Sequence, residues 1–478
     1  MNVPIRRPLF NRRPESNLYR MFFWVVLILG GIWLIRQVQQ GDVKPLFTAT
    51  ATPTRTANSY SLEGDAQFTA GELDASIKAY REAVRVDLNN AEVWAKLARI
   101  QTYSTRLLVT DDAQRTRLAE ALESINKAVE LAPDDSNTHA IRAFVLDWNA
   151  NPNLFDKKQA DDYLFEADKE ARTALQLDNT NTLALAFYAE ILVDEQKWSQ
   201  AEQNIQQALD RDQTLMDVHR VNAYVRESLG QYNLAIESYD RAIELAPKLT
   251  FLYLQAGANY RILGFRSENE ETQKQLFEHS LEYFAKAANI NEQLGVHDPV
   301  PYLSIARTYS QMGEYFAAAR NVQKALVFEP NNPDVYGQLG IVYFKSRNYE
   351  GSIPALKCAI RGCDEEGSCQ ARFGTSCADA EETGVKVTGL KLSASTVVYY
   401  YTYGSVLAAL NRPQLNYCPE AQTVFNEVKA QFGNDPDIAG IISAGEFICT
   451  ESTPTPLGGE ATTGTPSVST TPTPTSIP

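Results

Sequence analysis

The chain has 478 residues, 44% of them apolar and 22% charged, the proportions of a folded protein and not of a disordered one. Fifty-nine acidic against 44 basic residues give a net charge of -15, and because the first twenty residues hold five arginines and one glutamate, the remainder stands at -19. A body this acidic repels polyanions at long range, which excludes nucleic acid as a partner, and four scattered histidines (His139, His219, His279, His297) offer no metal cluster.

Residues 1–20 form a short basic segment. Residues 21–35 read MFFWVVLILGGIWLI, fifteen uncharged residues between Arg20 and Arg36, about 22 Å of helix against a hydrocarbon core of ~30 Å. Snorkelling arginines and the flanking Tyr19, Phe22, Trp24 and Trp33 would extend it, so 21–38 is predicted to be a transmembrane signal anchor. The arginine asymmetry predicts a single-pass protein of the cell membrane with a cytoplasmic N-terminus and an extracytoplasmic C-terminal domain. Residues 39–56 form a Thr/Pro-rich linker.

From residue 57 the sequence repeats. Residues 182–215, TLALAFYAEILVDEQKWSQAEQNIQQALDRDQTL, align without a gap on 216–249, MDVHRVNAYVRESLGQYNLAIESYDRAIELAPKL, each 34 residues long. Ala189 and Ala223 fill a small site in the first half, Ala201 and Ala235 one in the second, Ala208 and Ala242 a third, and Pro247 closes the later unit. The pattern resembles the tetratricopeptide repeat, a pair of antiparallel helices with small residues at their crossing. The same register runs upstream through Gly64, Tyr80, Trp94, Ala98 and Ala143, and downstream through Gly257, Tyr302, Ala306, Tyr336 and Gly340. Units 1–8 occupy 57–363. Unit 9, through Gly404, Ala421 and Phe425, occupies 395–449 together with a capping helix. The resemblance implies an all-α solenoid of about nine stacked helix pairs.

All six cysteines fall in the last third, an even number suited to disulfides in an oxidising compartment. Antiparallel packing of the helix starting at Cys418 against the capping helix ending at Cys449 predicts that these two are joined. Cys358, Cys363, Cys369 and Cys377 are expected to staple a Cys-rich insert, residues 364–394, in an undetermined pairing. The insert does not read as helical, and its stretch VKV-TG-LKL predicts a β-hairpin. Residues 450–478, rich in Thr, Pro and Ser, are predicted to be a disordered tail.

No nucleotide-binding, metalloprotease or nucleophile-elbow motif is present, so no catalytic residue, metal or cofactor is implied. His139 and His219 stand where other units carry Trp94, Tyr253, Tyr302 and Tyr336, and read as helix-packing residues. The resemblance implies a concave groove lined by the first helix of each pair. On that face lie Arg220, Tyr224, Arg261, Arg307, Phe344, Lys345 and Tyr401, a basic and aromatic line suited to a protein or peptide partner bearing carboxylates. The expected function is a membrane-anchored extracytoplasmic scaffold or adaptor. The alternative is an accessory subunit or an enzyme of unknown chemistry with its site in the Cys-rich insert.

Overall fold

The computed structural model describes residues 17–40, 55–108, 110–412 and 414–451, which form twenty-two α-helices and one 3-10 turn. Residues 1–56 and 57–478 are separate units. The first contains α1 (Leu18–Gln40). No helix among the described residues is long and apolar enough to cross a membrane, which overturns the transmembrane helix expected at 21–38. Arg20 and Arg36 lie within α1 and confine its uncharged run to fifteen residues, too short for the ~30 Å core. Residues 1–16 of the basic segment, most of the linker and the tail beyond 451 lie outside the described residues.

The second unit is a succession of helix pairs. They are α2 (Ala57–Thr69) with α3 (Leu73–Val86), α4 (Ala91–Ser104) with α5 (Asp111–Leu131), α6 (Ser136–Asn149) with α7 (Lys157–Leu177), and α8 (Thr182–Asp194) with α9 (Trp198–Arg211). Next come α10 (Met216–Ser228) with α11 (Tyr232–Leu245), α12 (Thr250–Arg266) with α13 (Glu270–Gln293), α14 (Val300–Gln311) with α15 (Tyr315–Phe328), and α16 (Pro333–Lys345) with α17 (Tyr349–Arg361). After the insert, with α18 (Glu365–Phe373) and α19 (Cys377–Ala380), follow α20 (Val397–Ala409), α21 (Cys418–Phe432) and α22 (Pro436–Glu451). A 3-10 turn, Thr105–Leu107, sits between α4 and α5.

Local chemistry sets these boundaries. Asn90, Asp135 and Asn181 each stand just before the first helix of a unit and accept from a backbone N–H of its first turn, at 3.2, 2.7 and 3.1 Å. Within a pair the helices cross where no β-carbon fits: one at Gly64 would lie 2.7 Å from the Tyr80 ring, one at Gly404 2.6 Å from Phe425. Elsewhere alanine suffices, and Ala98, Ala189, Ala201 and Ala223 are wholly buried. The turn inside a pair needs a left-handed residue, so Gly230 and Gly313 stand there with φ 73° and 79°. Gln196 and Arg347, one repeat before or after them, adopt φ 61° and 63° despite their β-carbons.

One recurring bond joins successive units. Trp94 Nε1 donates to Leu88 O (3.0 Å), Tyr253 Oη to Pro247 O (2.8 Å) and Tyr336 Oη to Pro330 O (2.7 Å), each six residues back across the inter-unit turn. His139 and His219 make the same contact through Nε2, to Pro133 O and Gln213 O. This accounts for the shared register of aromatic and histidine residues: each is a flat ring with an N–H or O–H at its tip, packed along the helix and satisfying a turn carbonyl.

The insert departs from expectation. Its first half contains α18 and α19, and no β-hairpin forms at 385–392. Val387 instead exchanges backbone bonds with Cys363 (3.1 and 2.9 Å), and Leu390 N donates to Ala359 O (2.8 Å), so the segment lies along the end of α17. Ser368 Oγ accepts from Val385 N (2.9 Å) and Tyr400 Oη donates to Leu390 O (2.6 Å). With its backbone groups engaged by helix ends and side chains, the segment has no use for a hairpin partner. Disulfides join Cys358 to Cys363, Cys369 to Cys377, and Cys418 to Cys449.

Candidate functional site

The first six pairs curve so tightly that early and late units meet across the concave interior. Arg99 and Tyr103 on α4 both hydrogen-bond the Asp217 carboxylate on α10, over a hundred residues away. The Tyr103 ring stacks on Phe251 of α12 with centroids 5.5 Å apart. Arg220, next to Asp217 on the same face of α10, forms a bidentate pair with Glu190 of α8 (2.7 and 2.6 Å) and donates to Tyr103 Oη (3.2 Å). Trp148 Nε1 donates to the same Glu190 (3.2 Å). Asp217, Glu190 and Arg220 are 1%, 5% and 6% exposed, so this polar network is internal structure.

Burial pushes the Asp217 carboxyl up, yet Arg99, the Tyr103 hydroxyl and Arg220 together hold it below the usual carboxylate value. Burial disfavours the Arg220 cation, but Glu190 outweighs it and keeps the guanidinium firmly charged.

Beside the network opens a cleft of about 920 Å³, bounded by the 3-10 turn, α6, α8, α10 and α12. On its wall stand two carboxyls, Asp147 on α6 and Asp194 on α8. Burial, the neighbouring Asp194 charge and Glu190 raise Asp147 well above the ordinary value, and burial raises Asp194 to about 6 although Tyr224 Oη donates to it. The pair therefore holds a proton that free carboxylates would have lost. Because the folded values are raised, the unfolded chain releases this proton first, and stability falls as pH rises from the ordinary 3.8 through about 6. Asp194→Asn, which stays neutral, is expected to flatten that fall. Melting temperatures at pH 4.5 and 6.5 should draw closer together in the variant, and an unchanged difference would show that the pair does not contribute.

Farther along stand the other residues predicted for the groove. Arg261 on α12 is half-buried, with its Nη1 3.3 Å from Ser304 O and its guanidinium 5.5 Å from the Phe284 centroid. No carboxylate pairs with it among the described residues. Burial and the nearby Arg307 lower it to about 10. Arg307 on α14 and Lys345 on α16 are exposed, with no ion-pair partner among the described residues. Phe344 packs on Tyr349 with the rings tilted by 49°, and Tyr401 on α20 is half-buried. Of the seven predicted groove residues, Arg220 thus serves the internal network and Tyr224 donates to Asp194 at the cleft, while Arg261, Arg307, Phe344, Lys345 and Tyr401 lie along the later units. The reading from sequence missed Arg106, Asp147 and Asp194. Asp147 and Asp194 stand in the last turns of the first helices of successive units, so their place in the register was visible, but nothing local shows that two helix ends face each other. No group of three metal-ligating side chains occurs among the described residues.

Sequence profiles described as tetratricopeptide repeat match residues 61–102 and 223–249. No curated protein matches in sequence. Among solved structures, the human IFIT1 dimer with PPP-AAAA is 17% identical, over 83% of this chain and 92% of that one, with a TM-score of 0.50. A thermophilic tetratricopeptide repeat protein of Thermus thermophilus, TTC0263, is 18% identical over 43% of this chain and 98% of its own, with a TM-score of 0.35. At such identities the likeness is one of fold. The chain carries tetratricopeptide repeats, and its helix pairs stack as an all-α solenoid of that repeat.

Proposed function

We propose that the protein is a non-catalytic adaptor that captures a carboxylate-bearing peptide on the open concave face of its later units. A tetratricopeptide solenoid is consistent with a protein-binding scaffold, and proteins of this repeat are generally non-catalytic. The observation that carries the finer reading is the line of unpaired cations, Arg261, Arg307 and Lys345, on the first helices of three successive pairs. In a chain of net charge -15, where acidic side chains are plentiful, a half-buried guanidinium left without a carboxylate is an unmet requirement that an acidic ligand satisfies. The three disulfides and the absence of free cysteine support placing this domain in an oxidising, extracytoplasmic compartment.

Arg307→Glu combined with Lys345→Glu tests the reading, because both residues are exposed and reversal should leave the melting temperature and helical circular dichroism unchanged. Binding of a fluorescent glutamate-rich decapeptide to the wild-type chain is expected to weaken at least tenfold in the double variant. It should also weaken as salt rises, since exposed ion pairs are screened over ~8 Å at physiological strength. Absence of binding to the wild type, or binding indifferent to both reversals and to salt, would sink the proposal.

A further inference from the structure

The cleft between the early and late units is a second concave site, separate from the open cationic line. It presents two groups that the protein leaves without a hydrogen-bonding partner among the described residues. Arg106, in the 3-10 turn, lies over the Trp148 ring with its guanidinium 4.7 Å from the centroid and has no hydrogen-bond acceptor among the described residues. Arg106 is exposed, and partial desolvation together with the nearby Arg220 lowers its pKa. Asp147 is 5% exposed, and its Oδ1 has no donor. The buried unsatisfied carboxyl oxygen is costly and calls for a donor, and the exposed guanidinium on the same cleft, without a protein acceptor among the described residues, is free to take a ligand anion.

The balance of charge narrows the class. Arg220 and Glu190 neutralise one another. Arg106 and Lys157 remain as cations, Asp161 and the Asp147–Asp194 pair as anions, all on the cleft wall. A simple anion would meet those carboxylates, and a simple cation would meet Arg106 and Lys157. A molecule carrying both charges meets neither objection. The remaining wall, including Leu118, Leu164, Phe251 and Leu254, is apolar, and the volume lies in the range of small-molecule sites.

We propose that this cleft binds a compact zwitterion with an apolar body, its carboxylate on Arg106 and its ammonium on the Asp147–Asp194 pair. Trp148 holds the guanidinium plane in place before the ligand arrives, which spares the ordering cost of a free arginine side chain. Two sources share this chemistry, an apolar amino acid and a short peptide of such residues with free ends.

Calorimetric titration of the full chain with L-leucine and with Ala-Leu-Ala tests the site and separates the two sources. Saturable binding of at least one is expected. Amidating the carboxylate or acetylating the amine should each weaken it tenfold or more. In Arg106→Ala the amide should bind no worse than the free acid, and in Asp194→Asn the acetylated form no worse than the free amine. These paired losses tie each end to its residue in a way that general destabilisation would not. The Arg307→Glu, Lys345→Glu protein should bind as wild type does, so failure here and failure of the peptide-adaptor reading are distinguishable. No heat with either probe at millimolar concentration, or binding that ignores either terminal block, overturns the proposal.

Discussion

Arg220→Ala is expected to destabilise the N-terminal half of the solenoid by about 3 to 5 kcal/mol, the range for removing one partner of a buried ion pair. The loss has two parts. Glu190, 5% exposed, would keep only the Trp148 indole as a donor among the described residues, and Tyr103 would lose one of the two guanidinium groups over its ring. The second effect falls where α4 meets α10, so the contact between early and late units should loosen as well. Urea unfolding measures the total. Restoring neutrality with Arg220→Met and Glu190→Gln together should recover most of the stability, because no uncompensated charge is then left buried. If the single variant costs under about 1 kcal/mol, the network is not the internal structure it is described as.

Replacing Cys418 and Cys449 by serine is expected to cost about 3 to 4 kcal/mol, from the loop-closure entropy of a bridge spanning about thirty residues. The bridge joins the first residue of α21 to the last turn of α22, the terminal helix of the described solenoid. A terminal helix has a neighbour on one side only, so its loss is local, and backbone hydrogen exchange should rise first in α22. Lys429, bonded to both carboxylate oxygens of Glu446 at 2.7 Å, is a partly exposed pair that should retain little of the docking by itself. Exchange that rises equally in α2 and α22 would show that the bridge stabilises the whole array and not its end.

Most of the repeat architecture was legible in residues 57–363. The 34-residue period located the pairs, small residues marked the crossings, and asparagine or aspartate before several first helices marked their starts. These signals are local: each depends on residues within one unit or on the turn to the next. The β-hairpin reading of VKV-TG-LKL failed because alternation identifies an extended segment but not its partner. Val387 found that partner at Cys363, just past the end of α17. The reading of 21–38 as a span failed on length, fifteen uncharged residues being stretched by assumed snorkelling.

The sequence by itself determined that helices form, where each pair crosses and which rings close the inter-unit turns, because those choices depend on neighbours a few residues away. The tertiary structure alone decided the curvature. Small rotations between pairs accumulate over successive units until Tyr103 meets Phe251 and Arg99 meets Asp217, and no single repeat encodes that sum. The fate of the arginines follows from it. Arg220 and Arg261 stand on the first helices of successive pairs, two turns apart in the repeat register; closure brings Tyr103 to the first, which the adjacent unit's Glu190 also pairs, while Ser304 O and the Phe284 ring reach the second.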